Sequence, residues 1–225
     1  RILEINSKSG LYPLYMAYSI YRARLAEKLD DADTMENTPE RHLKVWEAVL
    51  RENIFVLCKT QMAKSITRRT LRGFRSIKVN TRYYEDLINQ ISHKTAKFVS
   101  QMKQGKNYWK ANEDNDMKFT AIVGNPPYQV NQGSDKSSSN SAMAGAIYPL
   151  FIDVACKVNP THISLITPSR WMTKSGRGIS NEWVDKMLNA NHFVAIFDYL
   201  NASDCFSGVE IKGGVNYFLF SSAYV

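Results

Sequence analysis

The chain has no continuous apolar run long enough to cross a bilayer, which excludes a membrane-spanning helix. Its three cysteines, Cys58, Cys156 and Cys205, are odd in number and widely spaced. That pattern argues against a disulfide framework and against a zinc site, and points to a reducing cytoplasm. The histidines at 42, 93, 162 and 192 show no metal-ligand spacing. Glycine is scarce, 11 in 225 residues, and nowhere forms a Gly-rich phosphate loop. No secretory leader is visible in the sequence, and no internal repeat is found. The chain opens on Arg1 rather than Met and goes straight into strand-like residues, which reads as a piece cut from a longer protein. What is present is 225 residues, 44% hydrophobic, enough to bury the core of one large domain, with or without a small appendage.

The net charge is +8, from 29 basic and 21 acidic residues. An excess of this size permits nucleic-acid binding through phosphate contacts without demonstrating it. The cations are uneven: one cluster runs from Lys59 to Lys78 and includes Arg68, Arg69, Arg72 and Arg75, and a second runs from Lys94 to Lys110. A solvated helix face and a phosphate-contacting surface both fit the first cluster. An acidic stretch from Asp30 to Glu40 separates the first two helices.

Apolar periodicity predicts strands at residues 2–5, 54–58, 119–124, 162–167, 193–199 and 215–221, with a short one at 77–79. Helices are expected at 11–29, with Leu11, Leu14, Tyr15, Tyr18, Tyr21 and Leu25 at helical spacing, at 39–51 behind a Thr38 cap, and from a Thr60 cap to about residue 69. Further helices are expected over most of 84–103, at 141–158 with Ile147, Leu150, Phe151 and Val154 inward, and at 181–190. Residues 30–38 and 112–116 read as loops, and the Gly/Ser-rich residues 132–140 as a mobile stretch. Strands alternating with helices imply an α/β fold with a doubly wound, mainly parallel sheet. The last two strands lack an intervening helix, which predicts antiparallel pairing for the last strand.

Asn125, Pro126, Pro127 and Tyr128 follow the strand at 119–124 directly. Two prolines cannot continue a ladder, so the chain must turn there, and proline holds Asn125 in extended geometry. The carboxyl end of a strand is where open α/β sheets place their ligands. The Asn125 side-chain oxygen and the Pro126 carbonyl can each accept from an amino group, and Tyr128 offers a face to a planar base. A plain Pro-Pro turn is the alternative. At the N-terminus, Glu4 ends a strand as a possible acceptor for an ammonium or ribose, and Gly10 opens a helix whose N–H groups attract anions. A plain strand-to-helix turn explains Ser9 and Gly10 equally well.

The order of these features resembles the adenine-N6 DNA methyltransferases of restriction–modification systems, in the gamma arrangement where the cofactor motif precedes NPPY. The likeness extends over nearly the whole chain. Residues 2–10, Ile-Leu-Glu-Ile-Asn-Ser-Lys-Ser-Gly, look like the cofactor motif, with Glu4 where an Asp is usual, Asn6 within it and Gly10 retained. Residues 54–63 resemble the second cofactor strand, and Asp86 matches the acid that reads the cofactor's adenine. Asn125, Pro126, Pro127 and Tyr128 match the catalytic motif, with Asn125 also near the cofactor. Residues 205–214, Cys-Phe-Ser-Gly-Val-Glu-Ile-Lys-Gly-Gly, resemble the region that supplies a second aromatic, here Phe206, to a flipped base.

The resemblance implies a Rossmann-like methyltransferase domain over residues 1–225, a fragment without its target-recognition domain. It implies S-adenosylmethionine as cofactor, double-stranded DNA as partner, and restriction or specificity domains in the same or another chain. No membrane partner is implied. Two positions depart from the pattern: Lys8 stands where another glycine is usual, and Cys58-Lys59 stands where an acid usually binds the ribose. Those departures also fit a non-catalytic methyltransferase-like subunit that binds nucleic acid or a partner. The tetrapeptide also serves enzymes that methylate a glutamine amide in protein or guanine N2 in RNA.

Overall fold

The computed structural model describes residues 1–30, 38–129 and 145–223. They form two compact units, Arg1–Thr120 and Ala121–Val225. In the first, β1 (Ile2–Ser7), β2 (Ile54–Cys58) and β3 (Asn80–Tyr83) are parallel, with β2 in the middle. Every residue of β2 is buried, as its unbroken apolar run requires of a strand covered on both faces. Side chains alternate across it. Ile54, Val56 and Cys58 join Val45, Val49 and Leu50 of α2 (Pro39–Glu52) and Leu71 of α3 (Gln61–Arg72) in one core. Phe55 meets the rings of Trp109 and Phe119 edge-on at 5.3 and 5.4 Å.

Both helices start where capping chemistry places them. Thr38 Oγ1 accepts from Arg41 N at 3.3 Å, with Pro39 in the first turn, and Thr60 Oγ1 accepts from Ala63 N at 3.0 Å. Three expectations shift in this unit. The third strand begins at Asn80 rather than Ile77 because the Asn80 side chain is a buried anchor. Its Nδ2 donates to Arg51 O at 2.8 Å, and its Oδ1 accepts from Ala111 N at 3.0 Å. Ile77 packs into the core instead. The helix at 84–103 is two, α4 (Leu87–His93) and α5 (Thr95–Met102), broken at Lys94, where the backbone leaves helical geometry.

The third shift concerns α1 (Leu11–Asp30), which turns only part of its apolar stripe inward. Leu14, Ala17, Ile20, Tyr21 and Leu25 pack on the core, whereas Leu11, Tyr15 and Tyr18 are 65%, 74% and 52% exposed. The apolar stripe is wider than the contact, and the helix seats on its small residue, Ala17.

In the second unit the strand order is β4 (Ala121–Gly124), β5 (His162–Pro168), β7 (Val215–Ser221), β6 (Phe193–Tyr199). β4 and β5 are parallel, and β7 is antiparallel to both β5 and β6. The α/β class, the mainly parallel pairing and the antiparallel last strand are therefore as the sequence predicts. α6 (Tyr148–Val158) buries Phe151, Ile152, Val154 and Ala155, and α7 (Asn181–Leu188) buries Val184 and Met187 behind a Ser180 cap. The helix expected from residue 141 starts at Tyr148, with Pro149 in its first turn, since Ala146 is committed to an antiparallel bridge with Gln129. Residues 141–144 and the stretch 132–140 lie outside the described residues, as does most of the loop at 30–38.

Candidate functional site

The parallel strands of the first unit send residues 7–10, 59–60 and 84–86 out at one edge. The connection from β1 to α1 is held by a chain of buried hydroxyls. Cys58 Sγ donates to Thr67 Oγ1 (3.8 Å), Thr67 Oγ1 donates to Ser7 Oγ (3.2 Å), and Ser7 hydrogen-bonds Glu4. Gly10 N also donates to Ser7 Oγ (3.1 Å), and Thr70 Oγ1 fastens Ser9 O (2.7 Å). Gly10 has φ +81°, and a Cβ there would lie 2.9 Å from Thr67 Cα. Only glycine satisfies both the turn and the approach to α3.

Glu4 is 1% exposed. Burial pushes its carboxyl up to about 7, against the opposing hydrogen bond from Ser7, and its Oε2 finds no partner among the described residues. A buried acceptor left in this state is costly, and a cationic or hydroxyl donor satisfies it. Asn6 is buried beside it in sequence. Lys8 is exposed, and its φ lies outside the left-handed region, so the turn accommodates a side chain at this position. Cys58 is fully buried and burial raises its thiol to about 11, so at the tip of β2 there is a neutral thiol where an acid was expected. Asp86 is exposed at the start of α4 and accepts from Asn89 Nδ2 at 2.7 Å without capping the helix.

In the second unit Asn125 leaves β4 half-buried, Pro126 is buried, and Tyr128 is half-buried. The Tyr128 carbonyl accepts from Ile147 N at 3.1 Å, and its ring meets Tyr148 edge-on at 6.3 Å. β4, β5 and β6 run in one direction, so this turn, the turn after β5 and the β6–β7 connection bearing Phe206 share an edge of their unit. Phe206 is half-buried, its N–H donating to Ala202 O at 2.8 Å. Glu4, expected at a strand end, lies within β1 together with Asn6, because the strand runs on to Ser7; Gly10 sits on the connection that follows, and Asp86 at the same sheet edge. The structure groups Asn125, Pro126, Pro127, Tyr128 and Phe206 at an edge of the other unit.

Several residues that sequence reasoning passed over organise these edges. Thr167 Oγ1 donates to Asn216 Oδ1 (3.3 Å), Asn216 Nδ2 to Ser169 Oγ (3.4 Å), and Ser169 Oγ to Asp198 Oδ1. This network ties the ends of β5, β7 and β6 together. Ser169 N donates to Gly214 O (3.1 Å), and the Arg170 stem packs where a Cβ on Gly213 would lie, 2.4 Å from Arg170 Cγ. The signal that could have found Asn216 was a polar residue inside the apolar run of β7. Among the described residues no group of three metal-binding side chains occurs, and no helix is long and apolar enough to cross a membrane.

The family model of the Eco57I restriction-modification methylase matches residues 52–206. An uncharacterized adenine-specific methylase of Mycoplasma pneumoniae is 32% identical over 147 residues, 59% of this chain and 34% of that protein. The chain therefore spans about a third of the length of this curated relative. Among solved structures, the EcoKI M protein of a type I restriction enzyme superposes with TM-score 0.56 at 11% identity, over all of this chain and 40% of that one. The type ISP restriction-modification enzyme LlaBIII, solved bound to DNA, gives 0.57 at 12%, over all of this chain and 17% of that one. These two likenesses show a shared fold.

Proposed function

Because the chain belongs to the Eco57I restriction-modification methylase family, we propose that it methylates adenine N6 in double-stranded DNA as the modification part of such a system. The donor in this reading is S-adenosylmethionine, and the motif order is the gamma arrangement. The observation that carries the proposal is the turn of Asn125, Pro126, Pro127 and Tyr128 at the carboxyl end of parallel strand β4, inside the matched span.

Adenine N6 is a weak nucleophile because its lone pair is delocalised into the ring. Asn125 Oδ1 and the Pro126 carbonyl accept from its two N–H groups and favour the pyramidal nitrogen, on which the lone pair is localised. Rate then comes from positioning and electrostatics, with no covalent intermediate on the protein. The N6 proton leaves to water once the new N–C bond has formed. A base inside a duplex must first be flipped out, and Tyr128 and Phe206 replace its lost stacking, at roughly 1–3 kcal/mol per ring.

S-adenosylmethionine, when bound, supplies an electrophilic methyl group. Glu4, Asn6, Gly10, Asp86 and Asn125 are the residues assigned to hold it. The orphaned Glu4 Oε2 supports that fit, as a buried acceptor suited to an ammonium or hydroxyl. The neutral Cys58 at the tip of β2 favours a second reading, a non-catalytic subunit that binds DNA or a partner chain.

Calorimetric titration of S-adenosylmethionine into the intact chain, followed by methyl incorporation into adenine-containing duplex, separates the two. Binding with incorporation is expected. A folded protein that binds duplex but neither binds the donor nor incorporates methyl groups leaves the non-catalytic reading.

A further inference from the structure

α3 has two faces with different duties. Thr67 and Leu71 are buried, and Thr67 and Thr70 clamp the β1–α1 connection. Opposite them, Arg68, Arg69 and Arg72 fall on the outward half of the helix, and the chain continues through Phe74 and Arg75. Residues 53–84 contain no Asp or Glu. Among the described residues, none of the ion pairs involves a cation of this stretch.

A merely solvated face would be polar throughout, and this one is not. Met62 is 73% exposed, Ile66 45% and Phe74 93%, and the Arg69 guanidinium lies over the Phe74 ring at 4.6 Å. Protein interfaces are depleted in charge at their centres, whereas cations interleaved with apolar and aromatic groups suit a polyanion that also offers sugar surface. The helix is 12 residues, about 18 Å, and its middle and last turns meet residues 9 and 10 through Thr67 and Thr70.

We propose that the outward face of α3, with Arg68, Arg69, Arg72, Phe74 and Arg75, is a sequence-independent docking surface for the phosphodiester backbone of DNA flanking the target. This rests on the DNA-methyltransferase reading above and adds a contact that the adenine site does not require.

The test compares the intact chain with R68Q/R69Q/R72Q/R75Q and with a charge-matched control, K94Q/K97Q/K106Q/K110Q, on a 30-base-pair duplex lacking a target. Anisotropy titrations between 50 and 200 mM KCl read affinity and salt slope, and donor binding and thermal melting are followed alongside. The α3 variant is expected to lose at least tenfold in affinity. Its slope is expected to fall by up to about 3.6, since each phosphate contact contributes roughly 0.9. The control should lose less than half as much, with donor binding unchanged in both. Phe74→Ala, at an outermost ring, is expected to weaken binding about two- to fivefold without unfolding.

Equal affinity and slope in the α3 variant and the intact chain overturn the proposal and leave the face to an acidic protein partner. Equal losses in variant and control overturn it as well, as a net-charge effect. Failure of the unaltered chain to bind any duplex is a different outcome: it removes the DNA-methyltransferase reading and the docking surface with it.

Discussion

The two edges that carry the candidate residues are held by different means. In the first unit, side chains fix the connection at residues 7–10: Ser7, Thr67 and Thr70 bind it to α3, and Gly10 leaves no room for a Cβ. In the second, backbone fixes the turn: two prolines, the Tyr128 carbonyl on Ile147 N, and the Gln129–Ala146 bridge. A loop held by buried hydroxyls tolerates change wherever its remaining side chains face water, and Lys8 is such a position. A turn held by its own backbone keeps its course whatever its side chains touch.

The sharpest way to separate the two edges is Asn125→Ala. Removing the acceptor should lower methyl transfer by about 10³-fold or more, while duplex affinity stays within about twofold. Retained activity would end the role assigned to this turn.

The next effect belongs to the first edge and is read through pH. Glu4 titrates near 7 in the fold against an ordinary 4.5, so the folded state holds a proton that the unfolded state has released across that window. The Glu4 contribution to stability is therefore fully present below about pH 4.5, is lost as pH rises through about 7, and is level beyond, by at most about 3 kcal/mol. Glu4→Gln should remove that slope from urea melts recorded at each pH. A donor ammonium bound to Glu4 should release a proton at pH 6, which calorimetry in buffers of different ionisation enthalpy detects.

Tyr128→Ala should cost roughly 1–3 kcal/mol at the transition state, about ten- to a hundredfold in kcat/KM, without changing the melting curve. An unaffected rate would remove this ring from the site. Thr67→Val breaks the hydroxyl chain and should cost about 1–2 kcal/mol of stability, visible in denaturant melts. The smallest effect is expected for Lys8→Ala, within about 0.5 kcal/mol in the same melts, because its side chain faces solvent.

What could be read from sequence follows from the range of the forces involved. β2 was legible because five consecutive apolar residues demand burial, and the Thr38 and Thr60 caps were legible because capping is local. The turn at residues 125–128 was legible because proline acts on its own neighbours. The start of β3 was not, since Asn80 answers to Arg51 and Ala111, 29 and 31 residues away. The buried face of α1 was not legible for a related reason: periodicity names an apolar stripe but not which part of it a neighbouring helix will cover. Thr67 looks unexceptional in isolation, and acquires its role only when Ser7 arrives from another element.

The position of β7 has a consequence for how the chain is made. Among the described residues β6 pairs with β7 alone, and β7, which follows β6 in sequence, is inserted between β5 and β6. As the chain leaves the ribosome, β6 emerges with no ladder to join, and every one of its interstrand hydrogen bonds waits for residues 215–221. Contacts that close late and over long separations are slow to form, and unpaired strands are exposed to aggregation in the interval. The three described strands of the first unit have all emerged by Tyr83. Pairing of β6 therefore waits on residues 215–221, which join it to β5 through β7.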